Sequence, residues 1–152
     1  MERPQEGFGF LLADLSRLMR QAFQQRTGAS NLTLAQARVL LYVARHEGIR
    51  QVELAGLLEV QPITLARLID HLHEEGLVER RNDPSDRRAY HLHLTPAATP
   101  RLQALREVVA EVRADALRGV DPEAAALVLA TLHTMRDNLL SLPRTATGGT
   151  ER

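Results

Sequence analysis

The chain has 152 residues, 44% apolar and 25% charged, with 19 arginines balanced by 19 acidic side chains and with neither lysine nor cysteine. That length allows one sizeable core, and aromatics at 3% leave its packing to Leu, Val, Ile and Ala. The missing cysteines exclude disulfides, thiol redox sensing and thiolate zinc sites, and neutrality argues against coating nucleic acid by bulk charge while allowing arginine forks concentrated at a few points.

Residues 7–26 place Phe8, Leu11, Leu12, Leu15, Leu18, Met19 and Ala22 at helical spacing and predict an amphipathic helix. The residues before it are expected to fray, and Gly28-Ala29-Ser30-Asn31 is expected to break it. Thr33-Leu34-Ala35-Gln36 reads as a capping box, opening a helix that runs to about His46 and is stopped at Gly48. A short helix over 51–58 follows. A further one begins after Val60, with Pro62 in the first turn, where a proline is tolerated. Its apolar stripe is Leu65, Leu68, Ile69 and Leu72, and Gly76 ends it.

The period then changes to two. Residues 77–81 and 89–95 flank Asn82-Asp83-Pro84-Ser85-Asp86 and predict a β-hairpin, with Tyr90, Leu92 and Leu94 on a buried face and Ala89, His91 and His93 on the other. Two longer helices close the chain. The first starts somewhere in Thr95-Pro96 to Thr99-Pro100 and carries Leu102, Leu105, Val109, Val112 and Ala116. The second starts at Asp121-Pro122-Glu123 and carries Ala125, Val128, Leu132, Met135, Leu139 and Leu142. Steps of three and four in such a seam call for a partner helix. The tail, residues 143–152, reads as flexible.

The fold class expected is mainly α with a small β-hairpin: a helix-turn-helix followed by a wing, between outer helices with surplus apolar stripes. In that arrangement the second helix of the pair enters the major groove of DNA with its early residues at base edges. If Leu65, Leu68, Ile69 and Leu72 face inward, then Ile63, Arg67, Asp70 and Glu74 face outward, with Thr64 and His71 beside them. An isoleucine turned to water near a helix start has no folding reason to be there. Against DNA it could meet a thymine methyl, while Arg67 could take a guanine edge or a phosphate. Gln61 and Thr64 lie near the free amides of the helix start, where phosphate is favoured. The bland alternative for Arg67 is an ion pair with Asp70. Arg87 and Arg88, next to a hairpin tip, can reach the minor groove or its phosphates, and Asp86 lies on the side of the chain where it can hold Arg88. The six residues alone would be an ordinary charged turn; their place after a helix-turn-helix gives them weight.

These segments together resemble the MarR family, including its SlyA-type members, over nearly the whole chain. The resemblance rests on Gly-Leu-Val-x-Arg at 76–80, Asp-Pro-x-Asp-Arg-Arg at 83–88 and Leu94-Thr95. It implies a single domain over 1–152, a homodimer joined through helices at 7–26 and 96–142, and a winged DNA-binding lobe at 33–95. It also implies that Gln61, Pro62, Thr64 and Arg67 address the major groove, that Arg87 or Arg88 serves the wing with Asp83 and Asp86 in support, and that a small aromatic or phenolic anion releases DNA from a site whose residues the sequence does not name. Two departures stand out: Gln61 replaces a serine common in relatives, which implies weaker capping, and Ser85 replaces an arginine some relatives carry, which implies a looser grip by the wing.

From Arg50 to Tyr90 there are six arginines against eight acidic residues, so steering toward DNA is expected to be weak and the salt dependence of binding shallow. Other functions have less to stand on. His71 and His73 diverge on a helix. His91 and His93 share a strand face without a third ligand at metal spacing, so no metal or cofactor is expected. No phosphate loop, nucleophile elbow or acid–base pair points to an enzyme. A dimeric interaction module that has lost DNA binding is the main alternative. The sequence has no membrane-length apolar run and no secretory leader pattern, so a cytoplasmic location is expected.

Overall fold

A computed structural model describes residues 7–27 and 32–143. The expected fraying of the first residues, the break at 28–31 and nearly all of the 143–152 tail lie outside the described residues. The order of elements is α1 (Phe8–Thr27), α2 (Leu34–Arg45), α3 (Gln51–Leu58), α4 (Pro62–Glu74), β1 (Val78–Asn82), β2 (Tyr90–Leu94), α5 (Ala98–Ala116) and α6 (Pro122–Leu140). It is a mainly α fold with one antiparallel two-stranded hairpin.

Local chemistry sets most boundaries. The Thr33 hydroxyl accepts from the Gln36 N–H at 3.2 Å and the Gln36 amide oxygen accepts from the Thr33 N–H at 3.0 Å, so the capping box is complete. Helix α3 ends on Glu59, which adopts the left-handed conformation at φ 53° with no glycine to ease it. Gly76, at φ 72°, turns the chain from α4 into β1. Asp121 caps α6 by accepting from the Glu123 and Ala124 N–H groups at 3.1 and 3.4 Å.

The chain divides into two compact units, one ending at Ala114 and one beginning at Asp115. The first holds the core. Val39, Leu40 and Val43 of α2 meet Leu54 and Leu58 of α3, Leu65, Ile69 and Leu72 of α4, Val78 and Leu92 of the hairpin, and Leu102, Leu105 and Val112 of α5. The second unit contains α6, and no residue of α6 is buried.

Two sequence expectations need correction. Tyr90 is 41% exposed because the register pairs it with Asn82 at the outer end of the hairpin, beyond the core; only Leu92 of its face is fully buried. The opposite face of β2 is only partly open, with His91 and His93 half-buried; along the edge of β2, Gly48 donates to Leu92 O and Leu92 donates to Ile49 O, each at 2.9 Å, and Arg50 makes an isolated bridge to His91.

Candidate nucleic-acid interface

The start of α4 presents the residues singled out by periodicity. Leu65, Ile69 and Leu72 are buried and Leu68 half-buried, which turns the opposite side outward: Gln61, Pro62, Ile63, Thr64, Arg67 and His71 are all exposed. Ile63 has 65% of its surface in solvent. Gln61 stands at the N-cap without a side-chain bond to the helix, so the first amides of α4 have no cap from it.

The pairing of Arg67 with Asp70 does not form. Asp70 is taken by Arg80 of β1, at 2.6 Å. Arg80 also donates from Nε to the Gln51 side chain at 3.1 Å and from Nη2 to Ala66 O at 3.2 Å. One guanidinium therefore ties the first residue of α3, the middle of α4 and the hairpin together. Arg67 has no ion pair or hydrogen bond among the described residues, so its fork is open.

Both aspartates of the wing loop are tied to groups outside it. Asp83 accepts from the Ser85 N–H at 2.8 Å and hydroxyl at 2.7 Å, which fixes the turn as an Asx motif. Its other oxygen meets His91 Nε2 at 2.8 Å, while His91 Nδ1 lies 2.7 Å from Gly48 O. A carboxylate and a carbonyl can only accept, so the ring serves both when each nitrogen carries a proton. Chiefly the Asp83 bond, then the Gly48 carbonyl, raise the His91 pKa above its ordinary value. The Ser85 hydroxyl, then His91, hold the Asp83 carboxyl well below the usual carboxylate range.

Asp86 differs from expectation. It accepts the backbone N–H of Arg88 at 3.0 Å, but the guanidinium it faces is that of Arg50, at 3.7 Å. The side chains of Arg87 and Arg88 have no ion pair or hydrogen bond among the described residues. Asp70 and Asp86 thus face the guanidinium groups of Arg80 and Arg50 and Asp83 faces His91, while Arg67, Arg87 and Arg88 are free to meet an external anion.

Sequence reasoning missed Arg80 as the strut, His91 as the tie and Arg50 altogether. Arg50 did leave a trace. It sits at the N-cap of α3 and makes no cap bond, in a position where a short polar side chain is usual. Among the described residues no group of three or more His, Cys, Asp or Glu could hold a metal ion, and no helix is long and apolar enough to cross a membrane.

A helix pair with an exposed second helix and a basic wing beside it defines the winged helix-turn-helix class. The MarR family model matches residues 32–90. A solved structure of MarR superposes with a TM-score of 0.82 at 27% identity, covering 92% of this chain and 95% of that one. The transcriptional regulator PA3341 is 39% identical, with a TM-score of 0.77 over 90% of this chain and 100% of that one. BpsR from Bordetella bronchiseptica, described by the regulation of its DNA binding by 6-hydroxynicotinic acid, shares the fold at a TM-score of 0.71 and 23% identity over 90% of this chain and 98% of its own. The chain belongs to the MarR family of transcriptional regulators.

Proposed function

We infer that the protein is a transcriptional regulator that binds double-stranded DNA sequence-specifically as a homodimer on a pseudo-palindromic operator. The observation that carries this reading is the outer face of α4, where Ile63 lies in solvent and Arg67 is unpaired beside an Asp70 already committed to Arg80. Those side chains match a thymine methyl and a guanine edge or phosphate. Gln61, Pro62, Thr64 and His71 flank them, and Arg87 and Arg88 serve the adjacent minor groove or its flanking phosphates, with Asp83 and Asp86 shaping the loop beneath. In this reading residues 33–95 form the DNA-binding lobe, and helices at 7–26 and 96–142 join the two copies. Twin reading helices then sit about 34 Å apart, one turn of DNA. Such a role is non-catalytic and places the protein with the chromosome in the cytoplasm.

A small aromatic or phenolic anion is the effector this reading assigns. It is supported by a cavity of about 410 Å³ between α1, α2 and α5, where Leu15, Met19, Phe23, Leu41 and Val112 provide an apolar wall and Arg20 and Arg38 provide charge. An effector held there would shift the lobe against the outer helices and change the spacing of the reading heads.

The test is retention of genomic duplex fragments by the purified protein, followed by sequencing. Wild type is expected to enrich an imperfect palindrome, and the Arg67→Ala, Arg88→Ala double variant to lose that enrichment. Equal, weak retention by both would replace this reading with a dimeric interaction module.

A further inference from the structure

We propose that Arg50 and Arg88 form a clamp for a DNA backbone phosphate, in the cleft between the wing and the starts of α3 and α4. The inference rests on the DNA-binding reading and adds to it a site that periodicity does not reveal.

The cleft has a volume of about 370 Å³ and is lined by Arg50, Val52, Pro62, Asp86, Arg88 and Tyr90 among others. Its place in the fold carries the argument. Pro62 is the residue before Ile63, so one wall of the cleft is the start of the helix assigned to the major groove. Asp86 and Arg88 belong to the wing assigned to the neighbouring minor groove. Major and minor groove are separated by a sugar–phosphate strand, so a protein entering both must straddle that strand between its helix and its wing. The cleft is the gap left for it.

The chemistry of Arg50 fits a phosphate. Its Nε is sealed and has no hydrogen-bond partner although the side chain as a whole is 39% exposed, and its one ion-pair partner, Asp86, lies at 3.7 Å, beyond good hydrogen-bond length. A guanidinium carries five N–H donors, and the Arg50 side chain makes no hydrogen bond among the described residues, so its exposed end has capacity to spare. Arg88 lines the same cleft with its guanidinium unpaired among the described residues. Two arginines against the single carboxylate of Asp86 leave one net positive charge. A phosphate accepts bidentately from such forks at shorter range than Asp86 does. On docking, Arg50 exchanges its long contact with Asp86 for the phosphate, while Asp86 keeps the Arg88 backbone N–H. Val52, 66% exposed, and Tyr90 supply apolar surface for the sugars on either side.

The experiment compares wild type, Arg50→Gln and Arg50→Lys on two duplexes: an operator fragment selected by wild type and a scrambled duplex of equal length. Dissociation constants are measured across a salt series, and thermal melts verify folding. Each phosphate contact contributes about 0.9 to the slope of log affinity against log salt. Arg50→Gln is expected to weaken both duplexes by the same factor and to reduce the slope by about 2 for a dimer, while Arg50→Lys, which keeps the charge, retains the slope. A folded Arg50→Gln with the wild-type slope would overturn the clamp and leave the DNA-binding reading standing. Loss on the operator alone would also overturn it, by making Arg50 a base-reading residue. Failure of wild type to bind any duplex would instead end the reading on which the clamp rests.

Discussion

His91 is the residue on which the shape of the wing depends most directly. Its ring joins the wing loop, through Asp83, to the backbone before α3, through Gly48, and it does both only as a cation. Because the folded-state pKa of His91 is raised above 6.5, its contribution is fully present below about pH 6.5 and is lost as pH rises through the raised value. Asp83 works in the opposite direction. Its folded pKa lies below the ordinary 3.8, so its contribution is present above about pH 4 and is lost on acidification. The contact is therefore strongest from about pH 4 to pH 6.5 and weakens toward alkaline pH. His91→Gln is expected to lower thermal stability in that window and to converge on wild type as pH rises past the folded value. A deficit independent of pH from 5 to 9, roughly the range over which a histidine titrates, would show that the tie does not need the imidazolium.

At the scale of the element, the helix starts that the sequence announces are those the structure builds, because caps and first-turn prolines act within a few residues. Thr33, Asp121 and the Pro62 start of α4 are of this kind. The outward face of α4 was legible for the same reason: its buried stripe has one period. The Arg80 strut, the His91 tie and the Arg50 neighbourhood were not, because they join residues distant in sequence, as with Gly48 and His91, 43 positions apart. The segment before α3 that bridges to β2 is too short to carry a period, so its pairing left no mark in the sequence. Capping also yields a prediction. Gln61 makes no bond to the helix it precedes, so Gln61→Ser should satisfy one of the free amides and stabilise the protein by about 0.5–1 kcal/mol. Urea denaturation at fixed protein concentration should show a higher midpoint with an unchanged slope. An unchanged or lower midpoint would mean that Gln61 contributes in the native chain through something other than capping.

For the whole molecule, the question is where its uncovered apolar side chains go. In α6 no residue is buried, and Leu127, Leu139 and Leu140 are each more than two-thirds exposed, with Val128, Leu129 and Leu132 also open to solvent. In α1, Phe8 and Phe10 are 66% and 82% exposed. Scattered surface leucines are ordinary, but a long helix such as α6 with no buried residue is not, since tertiary burial is what stabilises most helices. In the proposed homodimer a second copy would supply the missing surface with twofold symmetry, and the same dyad would place both copies of α4 on one duplex. Association and DNA binding are then linked. Leu132→Glu in α6 is expected to shift the protein to monomer in sedimentation equilibrium and to make helix content fall with dilution. It should weaken operator binding by about 10²–10⁴-fold, because two half-sites no longer act through one body, while the loss on a single half-site stays small. Wild type sedimenting as a monomer at micromolar concentration would contradict this, and so would a Leu132→Glu monomer that binds the full operator as tightly as wild type. The second result would mean that each lobe reads its half-site independently and that the outer helices serve another partner.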